Sequence, residues 1–228
     1  MALLPSVMGG GILLSSFATG GEVNTSSVIL TIVVWGCFTA YYLRRLFKLL
    51  SERHNLRLGL DGELSVAEEL NKLMLDGYHV YHDFPANKFN IDHILIGPTG
   101  VFAVETKTRS KRKADRGKSG VEVTYDGNRL SFPGGYNINA LAQAKGQGTW
   151  LEKWLTSAVG EMVSVETIVT LPGWYVKRIK PESVPVLNPK EIRGYVTSKK
   201  KLLSETMIKR IVHQVEQRCR NIEPKEPG

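Results

Sequence analysis

The chain has 228 residues, 42% of them hydrophobic and 23% charged. That composition excludes collagen, coiled-coil, disulfide-framework and wholly disordered classes and leaves one globular domain with attachments. The net charge of +8 and a pI near 9.4 bias it toward polyanions.

The charge is uneven, because residues 1–43 contain one charged side chain, Glu22, and all 30 Lys and Arg begin at Arg44. Residues 1–25 form an apolar N-terminal segment. Residues 2–18 within it are a weaker candidate for a membrane span, since Pro5, Gly9, Gly10 and Gly11 break a helix there, and a signal peptide would need a basic start that is missing. Residues 26–43 are uncharged throughout and would make a helix of about 27 Å, close to a hydrocarbon core. Tyr41 and Tyr42 stand where an aromatic belt would, and Arg44, Arg45 and Lys48 follow. The positive-inside rule then orients the large C-terminal portion toward the cytoplasm of an inner or plasma membrane, in single-pass topology. Residues 44–58 are a basic amphipathic linker, lying on the anionic leaflet or continuing the span. Cys37 in the span and Cys219 near the far end cannot pair with each other, and His54, His79, His82, His93 and His213 lack cysteine partners at zinc spacing, so no zinc site is expected.

The domain proper spans residues 59–172. It opens with a predicted amphipathic helix capped by Asp61, with Leu60, Leu64, Ala67, Leu70 and Met74 on its buried face and Gly77 as its stop. Three strands are predicted at Tyr78–Phe84, Phe89–Gly97 and Val101–Lys107, the last two joined by Gly-Pro-Thr-Gly. A hairpin follows, Val121–Tyr125 with Arg129–Phe132, and Pro133, Gly134 and Gly135 break the chain. Ile138–Leu155 reads as a second helix and Val163–Leu171 as a buried strand. The extension 173–222 contains a proline-punctuated excursion to Pro189, an edge strand at Gly194–Thr197 and a helix at Leu202–Cys219, and residues 223–228 are a disordered tail. The order of elements is that of a mixed α/β sheet flanked by helices.

Charge inside the greasy strand VFAVETK is the chemical signal. Glu105 and Lys107 share one face of it, and an unpaired buried charge costs several kcal/mol, so each requires a partner. If Gly-Pro-Thr-Gly closes a hairpin, Asp92 of the preceding strand becomes a cross-strand neighbour of Glu105. Two carboxylates that close repel unless a hard cation lies between them. Glu63 on the first helix is aimed at the sheet. The set Glu63, Asp92, Glu105 and Lys107 suits phosphodiester hydrolysis, with a buried structural ion cluster as the competing account.

These residues, together with GxxGE around Glu63, IDHILIG around Asp92 and Gln143 in LAQAK, resemble the nuclease-related domain family of the PD-(D/E)xK restriction-endonuclease-like superfamily, over about residues 57–172. The resemblance implies a restriction-endonuclease-like mixed sheet, Mg²⁺ or Mn²⁺ held by Asp92 and Glu105 with Glu63 as auxiliary acid, Lys107 as catalytic lysine, and Gln143 as a helix-borne polar group at the site. Gln143 also begins the row Gln143, Gln147, Trp150, Trp154, so a plain helix-surface role stays open. The chain departs from the family where ETKTRSKRK runs far more basic than usual.

That loop carries Arg109, Lys111, Arg112, Lys113, Arg116 and Lys118, a candidate track for nucleic-acid phosphates, or an ordinary solvated surface. Gly117, Lys118 and Ser119 imitate the end of a P-loop, but Arg112 stands where its first glycine is required, so no nucleotide cofactor is expected. The expected function is membrane-anchored, metal-dependent cleavage of nucleic acid, DNA first. The alternative is a catalytically silent, membrane-tethered nucleic-acid-binding scaffold of the same fold. A structural membrane protein with no nucleic-acid role accounts poorly for the clustered basic loop.

Overall fold

A computed structural model describes residues 25–110, 121–133, 135–180 and 183–220. The apolar N-terminal segment, the tail and five of the six loop cations (Lys111, Arg112, Lys113, Arg116 and Lys118) lie outside the described residues, as does the P-loop-like Gly117 to Ser119. The chain divides into two compact units, one ending at Leu56 and one beginning at Arg57.

Helix α1 (Thr25–Asn71) supplies the described part of the first unit and the opening helix of the second. In the first unit Ile29, Leu30, Ile32, Val33 and Val34 are all exposed. This helix is long and apolar enough to cross a membrane.

The expected helix start at Asp61 is corrected, because the backbone stays helical from Thr25 to Asn71 and Asp61 instead pairs with Arg57 one turn earlier, at 3.9 Å. The buried face is also corrected. Leu60, Leu64 and Met74 are exposed, while Val66, Leu70 and Leu73 face the core. After Asn71 the chain tightens into a 3₁₀ turn, Lys72–Asp76, whose three residues per turn align Leu73 rather than Met74 with Leu70. Gly77 ends it in the left-handed region at φ 82°.

The first sheet has the order β1 (His79–Pro85), β2 (Asn90–Gly97), β3 (Gly100–Thr106), β7 (Val165–Thr170), β9 (Val186–Leu187). β1, β2 and β3 are antiparallel, and β7 and β9 continue parallel to β3, so the sheet is mixed. Every residue of β3 is buried, as a strand covered on both faces must be. On one face Ile94, Ile96, Val101 and Ala103 meet Leu151 and Leu155 of α2 (Asn139–Val159) and Ile211 and Val215 of α4 (Glu205–Arg220). On the other, Leu95, Phe102 and Val104 meet Val66 and Leu70 of α1 and Ile192 and Val196 of α3 (Pro189–Thr197). Helix α2 crosses β7 so closely that a Cβ at Gly148 would run into Thr167 Oγ1.

The second sheet has the order β6 (Gly135–Asn137), β5 (Leu130–Phe132), β4 (Glu122–Tyr125), β8 (Tyr175–Arg178). The expected hairpin is present, with Thr124 opposite Ser131. Gly135, expected to break the chain, is instead the first residue of a third strand and pairs with Phe132, and the excursion after Gly173 contributes β8 and β9. The expected edge strand at Gly194–Thr197 is a helix instead. Asn188 accepts from the Lys190 amide, Glu191 reaches back to the Asn188 amide, and Pro189 occupies the first turn, so a capping box starts α3.

Candidate active site

The β2–β3 register, Gly97 opposite Gly100 and His93 opposite Val104, carried one step further sets Asp92 opposite Glu105. Both therefore face the α2 side of the sheet, along with Ile94 and Ala103. Asp92 is half-buried and Glu105 is 2% exposed. The Thr106 amide donates to Asp92 Oδ2 at 2.7 Å. Lys107 Nζ lies 2.5 Å from Glu105 Oε1 and donates to Gln143 Oε1 at 3.0 Å. Its amide donates to Thr170 O at 2.9 Å, so the backbone of Lys107 is tethered to β7. Gln143 is thus joined to the lysine, whereas the next residues of its row do other work. Gln147 reaches Asn90 O, and Trp150 and Trp154 stack with ring planes 2° apart.

Glu105 Oε2 is buried with no hydrogen-bond partner. An oxygen so placed costs free energy and invites a cation or a proton. Burial first, and the Glu105 charge next, push the Asp92 carboxyl up to about 7, with the Thr106 amide and Lys107 pulling the other way.

Glu63 comes to the same place from the other face. α1 packs against the side of β3 opposite Glu105, so Glu63 approaches past the end of the strand and stays exposed. The crossing is tight, since a Cβ at Gly62 would run into Thr108 Cγ2 and lie 3.4 Å from Pro172 Cγ. Partial desolvation, then Asp83 and Glu105, raise the pKa of Glu63, and Lys107 lowers it. Among the described residues no three His, Cys, Asp or Glu side chains close into a group able to hold a metal ion. The donors that fit a hard, oxygen-seeking cation are accordingly the pair Asp92 and Glu105, with the orphaned Glu105 Oε2 as the best argument for that fit.

Two features escaped the sequence reading. Asp83 would face Asp92 in register, but it leaves the ladder with φ 51°, a left-handed conformation that Asp tolerates better than most residues. The other is a file of polar side chains on the α1 face. His82 Nε2 contacts Asn71 Oδ1 at 3.0 Å, the two Nδ1 atoms of His82 and His93 are 2.8 Å apart, and His93 Nε2 contacts Thr106 Oγ1 at 3.1 Å. Burial and then His82 hold His93 down to about 3, so it stays neutral and anchors the residue whose amide holds Asp92. Alternating strand positions, with His93 and Thr106 next to Asp92 and Glu105, were the available signal.

The family model for the nuclease-related domain matches residues 58–172. The chain belongs to the nuclease-related domain family. The match starts on α1 about one turn before Gly62 and Glu63 and ends just after β7, so it spans the elements that position Glu63, Asp92, Glu105, Lys107 and Gln143. The family points to a nuclease-like function. No curated protein and no solved structure gives a match to the chain.

Proposed function

We propose that this nuclease-related domain is a metal-dependent phosphodiester hydrolase of the PD-(D/E)xK type acting on nucleic acid, DNA foremost, and tethered by α1 to the cytoplasmic face of a cell membrane. The observation that carries the reading is the buried Glu105 carboxylate, with one oxygen on Lys107 and the other without a partner, beside the proton-retaining Asp92. Asp92 and Glu105 would hold Mg²⁺ or Mn²⁺, with Glu63 at the rim. The bound ion would supply an acidified water and neutralise charge on the phosphate. Lys107, fixed between Glu105 and Gln143, orients that water and holds positive charge toward the phosphate at Nζ. Gln143 accepts from the same Nζ and so shares the lysine with Glu105. Arg109 and the loop cations beyond it extend positive charge for the flanking phosphates.

The test is cleavage of single- and double-stranded DNA and RNA by the full chain in detergent, with and without Mg²⁺, alongside Glu105→Gln. Cleavage and Mg²⁺ affinity should fall together in the variant. No metal-dependent cleavage of any of the four substrates, with Mg²⁺ binding the same in both proteins, refutes the reading. The silent scaffold has one observation in its favour, the close Lys107–Glu105 pair in a site where, among the described residues, no three acids close into a metal-holding group. It predicts salt-sensitive nucleic-acid binding with no turnover.

A further inference from the structure

A cavity of about 440 Å³ opens beside the carboxylate pair, lined by Lys107, Gln143, Tyr136, Asn137, Ile138 and Asn139. Its volume falls within the roughly 300–1,000 Å³ of small-ligand pockets. One end is polar. Lys107 and Gln143 form that part of the lining, with Lys107 Nζ donating to Gln143 Oε1 at 3.0 Å. The other end is apolar and open, with Tyr136 66% and Ile138 54% exposed. Tyr136 lies on β6, the edge strand of the second sheet, opposite Ser131, and no ring among the described residues stacks on it. Arg109 lies close by, outside the residues that line the cavity. Its guanidinium stands 4.7 Å over the Phe132 ring and would lie 3.1 Å from a Cβ at Gly135, next to Tyr136.

Resting on the hydrolase reading of this same site, we propose that Tyr136 is a stacking platform for an unpaired base, so that the substrate is single-stranded nucleic acid. A nucleotide has the two halves that the cavity has, an anionic phosphate for Lys107 and Arg109 and a flat apolar base for Tyr136 and Ile138. In a duplex the faces of the bases are covered by their neighbours, and a tyrosine beside the cleavage centre has nothing to stack on. In a single strand every base offers a face, and stacking on an aromatic ring works with any sequence. Tyr136 thereby selects strandedness rather than sequence, and it sets which phosphate arrives at Lys107.

The test uses the full chain in detergent micelles, without divalent metal, and fluorescence anisotropy of a labelled thymidylate homopolymer against a duplex of equal length. The single strand should bind more tightly. Tyr136→Ala should weaken it by about tenfold or more, leave the duplex nearly unchanged, and be rescued by Tyr136→Phe. Tyr136 is exposed, so its loss should barely move the thermal midpoint, which the same samples check. If Tyr136→Ala does unfold, Tyr136→Trp must bind the single strand at least as well as the native chain, and weaker binding overturns the inference. Equal single-strand affinity in a folded Tyr136→Ala also overturns it, and metal-dependent cleavage by that variant leaves the hydrolase reading standing. Tyr136-dependent binding with no cleavage of any strand supports the platform and removes the hydrolase.

Discussion

Asp92→Asn should stabilise the metal-free protein at pH 8 and leave it nearly unchanged at pH 4. The ordinary aspartate value of 3.8 is moved up to about 7 at this position, first by burial and then by the Glu105 charge. Between those values the folded chain holds a proton that the unfolded chain has released, so folding stability declines as pH rises through that window. Above it the carboxylate is ionised in both states and the whole cost is felt. A shift of roughly three units at 1.36 kcal/mol each is about 4 kcal/mol, an upper figure for a half-buried group that water still reaches. Asparagine keeps an oxygen for the Thr106 amide and removes the charge. For a chain of this size 1 kcal/mol moves the thermal midpoint by about 2–4 °C, so the variant should melt about 5–15 °C above the native chain at pH 8 in chelator. Saturating Mg²⁺ should shrink that gap from the native side, because a cation on Asp92 and Glu105 removes the cause of the strain. The assay is the tryptophan-fluorescence melt of full-length protein in detergent at pH 4, 6 and 8. Equal midpoints at pH 8, or a native chain that gains on the variant as pH rises, would refute the reasoning.

Lys107→Ala strips the last partner from a carboxylate that is 2% exposed, and should cost about 3–5 kcal/mol in chelator, measured by urea unfolding. Cleavage should fall by about 10²-fold or more even where Mg²⁺ restores folding. Gly62→Ala forces α1 away from Thr108 and should cost about 1–3 kcal/mol of overpacking strain, again by urea unfolding, with cleavage dropping because Glu63 moves with it. Deleting residues 1–50 should move the protein from the membrane pellet to the soluble fraction, and extraction of the intact chain by carbonate alone would refute the spanning role of α1.

What was legible in the sequence was whatever local pattern decides. Alternation of apolar residues and the Gly-Pro-Thr-Gly turn fix β2 and β3 and their register, and with them the meeting of Asp92 and Glu105, because an antiparallel hairpin leaves no choice of partner. Glu63 was harder. Its row on α1 lies at the edge of the buried face, since Val66, Leu70 and Leu73 are buried while Glu63 and Leu64 are exposed, and it couples to Glu105 although α1 packs on the opposite face of β3. Asp83 could not be read at all, since its proximity to Glu63 depends on a single left-handed residue leaving the β1 ladder. The start of α3 is legible in its cap. Asn188, Pro189 and Glu191 spell a capping box, whereas the short run Gly194–Thr197 taken alone reads as an edge strand. The second sheet shows the limit from the other side. Its β4–β5 hairpin is legible, but β6 and β8 are three and four residues long, too short for alternation to register, and the sheet gains stability from Val123, Tyr125, Leu130 and Phe132 closing on α2 and on Leu171. The wall that carries Tyr136 is therefore a product of tertiary packing, which is why the sequence that discloses Asp92, Glu105 and Lys107 does not disclose Tyr136 beside them.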